Sequence, residues 1–595
     1  MKQKFVSYFK EKWQDYASFI LMIIIIFGMM YHLMELSNCE LNIPLFYMGG
    51  DDMGVIVNAK QFTEQFWNLT CDRLGAPYTV QYYDFTSSMM HNSGLFIMKI
   101  FAVITKDAAV AMNLTYLSIF FIAGIISYFV MRNIKINCWV ASLSSAVFAL
   151  SPYMLFRNIG HIVLTECYFV PLSILLCIWI YERDDVLTLD KDFFKRKINY
   201  VALFFTFLIA NNGIAYYPFF TCFILMVTAV SKLAKTGKIK QGLRGVVAVI
   251  MVCFFVVLSI LPGKIYNIMN GSNAAAVDRS GFEQTELYGL KIAQLFMPLN
   301  GHGWYDKYID IYNDNAFLVT ENSSAYLGIL GMIGFIVLMF CLFTKRDSLL
   351  KKRLACLSEL NISMVLLGTI GGLGSMFAFF VSPMLRAYNR ISIFIEYVSI
   401  LAVALLVNEL IRVIKDNKKV VSAWAKRISL VLTGCIFGLM CLFSIWEGYP
   451  QLATPAYDTN KMNYISDKNF VENIENSVEA GSMIYQLPYH EYPEYGPVND
   501  MWDYHLYIGY LHSKTLKWSY GSIKGRDEDK WNKNVGSMPI DKMVSYLKEQ
   551  GFAGIYIDRR AYEEEELTTL EGSLKQILNE EPMISDNENL SFFKF

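Results

Sequence analysis

From residue 16 to residue 447 the chain alternates between long apolar runs and short polar connectors, and this alternation predicts most of the fold. Runs of about 20 apolar residues are long enough for a helix to cross the hydrocarbon core of a bilayer. They fall near 16–36, 108–130, 138–154, 164–181, 198–211, 213–231, 243–262, 323–343, 359–380, 391–411 and 428–447, about eleven in all. The first is too long for a signal-peptide core and lacks a small-residue cleavage site, so it reads as an uncleaved span. A shorter apolar stretch, 89–105, reads as an interfacial helix. Beyond Glu447 the pattern changes, with strand signals at 482–488, 554–558 and 590–595 and helical periodicity at 540–550 and 563–578. The expected architecture is a polytopic α-helical membrane protein, residues 1–447, carrying a C-terminal α/β domain, residues 448–595.

Composition agrees with this picture: of 595 residues, 54% are hydrophobic and only 18% charged, far from the balance of a soluble protein. A net charge of -1 gives no reason to expect a nucleic-acid partner. The eleven cysteines are scattered without a CxxC pair, which excludes a disulfide scaffold and a thiolate zinc site.

The distribution of charge supplies orientation. Cations crowd alternate connectors, at Arg132/Lys135, Arg183 to Lys197, Lys232 to Lys240, Lys345 to Arg353 and Lys415 to Arg427, as well as the N-terminal Lys2, Lys4, Lys10 and Lys12. The positive-inside rule makes these the cytoplasmic side of a multi-pass cell (plasma) membrane protein. With an odd number of spans, the N-terminus is expected in the cytoplasm and the C-terminal domain outside. The outer face then carries a first loop, 37–107, and a long loop, 263–322.

The polar groups that could do chemistry are all expected on that outer face. Met48-Gly49-Gly50-Asp51-Asp52 places two adjacent carboxylates just beyond a span. Gly-Asp pairs are ordinary turn residues, but carboxylates at a lipid boundary are costly and commonly functional. Such a pair suits a general base and could also hold a divalent cation, Mg2+ or Mn2+. Arg157 and His161 are spaced for one helix face, although Gly160 allows a tight turn, and Glu166 follows. A second pair, Arg386 and Arg390, sits in a short outer turn, where either a bound anion or pairing with Glu396 would account for it. The long loop adds Lys264, Arg279, His302, Trp304 and Glu321. The first two could help bind a phosphate. The last three could help bind a sugar by stacking and hydrogen bonding. The aromatic stretches 485–494 and 518–526 read as carbohydrate-facing loops.

Gly50-Asp51, Leu74-Gly75-Ala76-Pro77, Asp84-Phe85, Arg157 with Gly160-His161, Val170-Pro171-Leu172 and Tyr326-Leu327-Gly328, set in this architecture, resemble the GT-C superfamily of polyprenyl-phosphate-sugar-dependent glycosyltransferases. More narrowly they resemble its bacterial YfhO-like branch. The resemblance implies a first-loop acidic residue, Asp51 or Asp52, as catalytic base. It also implies a polyprenyl-phosphate sugar donor and an acceptor in a cell-envelope glycan, teichoic acid or glycolipid. Arg157, His161, Arg386 and Arg390 are the expected donor-phosphate ligands, with Arg279 and Lys264 in reserve. Two other readings fit the same residues: a flippase or transporter of lipid-linked sugars, and a glycan polymerase or ligase working through Arg279 and His302.

Overall fold

The computed structural model describes residues 2–88, 93–277, 281–299, 301, 305–344, 347–416 and 423–595. Arg279, His302 and Trp304 lie outside the described residues. Among the described residues, eight helices are long and apolar enough to cross a membrane: Lys12–Leu33, Ala108–Asn133, Cys138–Arg157, Ile162–Glu182, Tyr216–Thr236, Ile239–Asn270, Tyr388–Asp416 and Ala423–Glu447. The apolar runs at 198–211 and 323–343 are shorter as helices, Lys197–Ala210 and Gly328–Cys341. The run at 359–380 is not one helix. Its helix starts earlier, Leu349–Gly368, and breaks at Thr369 to Gly372, where Gly371 takes a positive φ, before a short helix Leu373–Phe380.

Small residues let these helices approach closely, as expected where lipid offers no hydrophobic drive between them. A Cβ on Gly334 would lie 2.0 Å from the Ser399 carbonyl oxygen, and one on Gly245 would lie 2.7 Å from the Ala229 Cβ. Helix Ile239–Asn270 spans about 48 Å at 1.5 Å per residue, more than the hydrocarbon core needs. The long connector therefore starts after Asn270 rather than at 263, and Lys264 is an exposed residue of that helix.

The C-terminal part holds a five-stranded sheet in the order Lys517–Trp518, Met483–Leu487, Phe552–Asp558, Leu590–Lys594, Met583–Ile584. The first three strands run parallel and the last two pair antiparallel. The first connector is laid along this sheet's edge. Trp518 donates its backbone N–H to the Arg73 carbonyl, and the Ala76 and Gly75 amides donate to the Trp518 and Tyr520 carbonyls. Asp84 is gripped by Arg526, at 2.7 and 2.8 Å. The same guanidinium binds the carbonyls of Asn270 and Gly271 at the end of the long helix. A cation there meets the negative end of the helix macrodipole. Leu74 to Pro77 and Asp84 thus fasten the first connector to the sheet.

Candidate active site

Helix Asp51–Glu64 begins at Gly50 and carries both aspartates in its first turn, where unsatisfied backbone N–H groups and the macrodipole favour negative charge. The two carboxylates have different surroundings. Asp52 is 2% exposed, and its oxygens accept hydrogen bonds from the amides of Met48, at 2.7 Å, and Gly50, at 3.1 Å. Asp51 is 55% exposed at its side chain and lines a cavity of about 360 Å³ between the helix bundle and the C-terminal sheet region. Of the pair, only Asp51 is presented to the cavity. A metal held there would draw one ligand from the pair rather than two. Among the described residues no group of three or more His, Cys, Asp or Glu side chains is gathered to hold a metal.

The Asp51 carboxylate is reachable by water but walled on most sides by protein. Loss of bulk solvent pushes its pKa up to about 7, reinforced by the charges of Asp503, Glu494 and Asp52 and opposed by Arg390. His161 stands 3.9 Å away, 48% exposed at its side chain, and the surrounding protein and the Arg157 charge lower its pKa to about 4. Arg157 and His161 do not share a helix face. The helix Pro152–Arg157 ends at Asn158, which has φ 39°, and the His161 amide closes a turn onto the Arg157 carbonyl. The turn sends His161 toward Asp51 and Arg157 inward, 1% exposed.

Arg386 and Arg390 stand in the wall of the same cavity, Arg390 near enough for its charge to act on Asp51. Arg390 lies over the Tyr216 ring at 4.5 Å and Arg386 over the Tyr288 ring at 5.0 Å. Arg386 also donates to the Gln284 amide oxygen at 2.8 Å. The partner of Arg390 is Glu321, at 3.1 and 3.2 Å, and not Glu396. Arg157 binds the same Glu321 at 2.5 Å and Ser324 at 2.8 Å. Burial disfavours the Glu321 charge, but the two arginines outweigh it and hold its carboxyl well below the usual range. Glu321 is therefore occupied with positioning arginines. Lys264 is not in the cavity wall.

The remaining lining is largely apolar or aromatic, with Asn58, Gln61, Glu166 and Glu494 as its further polar members. Phe85, Leu95, Met98, Ile162 and Leu385 contribute from the first connector and the helices, and Tyr492, Glu494, Tyr504 and Tyr507 from the C-terminal part. Of the aromatic stretches singled out in the sequence, only the end of the first reaches the cavity. Trp518 and Tyr520 are core residues, 0% and 1% exposed. Tyr504 and Tyr507 escaped sequence reasoning, as did Tyr216. Their only signal was the three-residue spacing of Tyr504 and Tyr507, which puts both on one side of a helical turn.

A model of a domain of unknown function (DUF6311) matches residues 93–385. No curated protein matches the sequence. Among solved structures, ArnT from Cupriavidus metallidurans, crystallised bound to undecaprenyl phosphate, is similar with a TM-score of 0.52 over 97% of each chain at 10% identity. The arabinofuranosyltransferase AftD from Mycobacteria aligns at a TM-score of 0.44 and 11% identity, over 92% of this chain and 35% of its own. The chain is a multi-pass membrane protein with a GT-C fold.

Proposed function

We propose that the protein is a membrane glycosyltransferase that moves a sugar from a polyprenyl-phosphate donor to a hydroxyl of a cell-envelope glycan, teichoic acid or glycolipid. The observation that carries this reading is the pairing, in one cavity, of a half-exposed Asp51 with pKa about 7 and the guanidiniums of Arg386 and Arg390. The GT-C fold and the undecaprenyl phosphate bound to ArnT support it. The chemistry takes place on the outer side of the membrane, with about eleven spans, a cytoplasmic N-terminus and an outer C-terminal domain. The narrower likeness to the YfhO-like branch is carried by the six short motifs.

A hydroxyl is a weak nucleophile at neutral pH. As its oxygen bonds to the anomeric carbon, its proton passes to Asp51, whose pKa near the working pH suits a general base. The bond from that carbon to the lipid phosphate breaks, and its electron pair leaves with the phosphate. Arg386 and Arg390 meet the growing charge in a low-dielectric wall, where fixed cations act strongly. Direct displacement inverts the anomeric carbon. Neutral His161 orients the Asp51 carboxylate or the incoming hydroxyl, while Glu321 and Arg157 hold Arg390 in place.

The test is sugar transfer from a radiolabelled polyprenyl-phosphate sugar in membranes carrying wild type, Asp51→Asn or Asp52→Asn. Loss with Asp51→Asn and retention of much of the activity with Asp52→Asn is the expected result. Full transfer by Asp51→Asn refutes the base. A wild type that transfers nothing but accelerates movement of the lipid between leaflets is a transporter.

A further inference from the structure

A second cavity, of about 300 Å³, opens between the long connector, Phe156 and the segment from Pro450 to Leu452. Its wall holds Gln294, which is 1% exposed and has neither its amide nitrogen nor its amide oxygen in a hydrogen bond. A buried amide with both halves unmet is unfavourable unless something that enters the cavity satisfies it. Around it are the rings of Phe156 and Tyr312 and the neutral polar groups of Asn313 and Ser323. None of the described lining residues is charged.

We propose that this cavity is a subsite for an uncharged saccharide unit of the acceptor, anchored by the Gln294 amide and stacked on the aromatic walls. The proposal deepens the glycosyltransferase reading and rests on it for the word acceptor. A sugar hydroxyl or acetamido group offers both a donor and an acceptor, as the Gln294 amide requires. The apolar face of a pyranose matches aromatic rings. A phosphate, a uronic acid or a lipid headgroup would find no cation among the described lining residues. The volume falls at the lower end of small-ligand sites.

Position links this subsite to the first cavity. Phe156 precedes Arg157, and Ser323 stands two residues beyond Glu321. The ion-pair chain Arg157–Glu321–Arg390 runs from this cavity's edge to the wall of the first.

The experiment is saturation-transfer NMR on the full chain in nanodiscs, which avoids sugar-headed detergents. The probes are the methyl glycosides of glucose, galactose and N-acetylglucosamine, with methyl glucuronide as the charged comparison. At least one neutral glycoside should bind wild type and Asp51→Asn alike. Gln294→Leu should weaken that binding about tenfold or more with an unchanged or raised Tm, because it removes the unmet amide. Binding of no neutral glycoside to wild type, equal binding by Gln294→Leu, or equally tight methyl glucuronide overturns the proposal. Should Gln294→Leu not fold, Ser323→Ala and Asn313→Ala report on the same wall, and unchanged binding in both overturns it. Binding that depends on Gln294 in a protein that transfers no sugar upholds the subsite and sinks the transferase reading instead.

Discussion

The helix bundle concentrates charge at both ends and treats it differently. At one end several arginines and lysines are held by carboxylates of neighbouring helices and connectors: Arg132 by Asp15 at 2.5 Å, Arg353 by Glu182 at 2.6 Å, Lys235 by Glu359 at 2.6 Å. At the other end Arg157 and Arg390 share the single carboxylate of Glu321. Among the described residues Arg386 has no carboxylate within salt-bridge distance, only an amide oxygen and a ring. The first arrangement ties these cations to carboxylates of the chain itself. The second leaves fixed positive charge facing a cavity, which suits an anion that the chain itself does not supply.

The largest effect expected at the cavity end is on chemistry: Asp51→Asn should lower kcat about 10²–10⁴-fold, measured with labelled donor, while Asp15→Asn should leave kcat unchanged. Next comes stability. Glu321→Gln leaves two nearly buried guanidiniums uncompensated and should cost about 3–5 kcal/mol, read as a drop in Tm. Glu182→Gln, which strands one arginine, should cost about 1–3 kcal/mol. Because Arg157 and Arg390 depress its pKa, Glu321 stabilises fully above the ordinary carboxylate range, and this contribution fades as pH falls below it. A smaller effect separates the arginines: Arg386→Met should raise the KM for donor about ten- to a hundredfold, whereas Arg353→Met should lower Tm with KM unmoved. Equal KM changes in both would break the contrast between the two ends.

The pH dependence sharpens it further. Asp51 must be ionised to accept a proton, so kcat/KM should rise with pH through about 7 and level off above. Glu494→Gln removes a like charge from its surroundings and should shift this limb to lower pH. His161 is already neutral above about 4 and contributes no second limb in that range. Smallest of all should be the response to EDTA, since the proposed mechanism gives the phosphate to the arginines; loss of transfer restored by Mg2+ or Mn2+ would reassign that part of the site.

Much of this was legible in the sequence because apolar run length and connector charge are local properties. The strand and helix signals at 482–488, 540–550, 554–558, 563–578 and 590–595 match elements of the structure for the same reason. The break at Thr369 to Gly372 was hidden because isoleucine and glycine there keep the run apolar. The site was legible as a set of residue types near the membrane: Asp51, His161, Arg386 and Arg390 all reach the first cavity or its wall. Which aspartate faces that cavity was not, because two backbone amides decide it. The task of Glu321 depends on a partner 164 residues away, and Tyr504 and Tyr507 arrive on a helical turn between two strands of a sheet that sequence spacing cannot dock.

The seam between the first connector and the C-terminal sheet also orders events in time. Arg73 binds Ser513 across 440 residues of chain, and the amides beside it pair with Trp518 and Tyr520. Contacts of such separation form only after everything between them has been made. A chain still leaving the ribosome can insert its spans, but Asp51 has no fixed address until the final sheet assembles. On the proposed function, catalytic competence is therefore a property of the finished polypeptide.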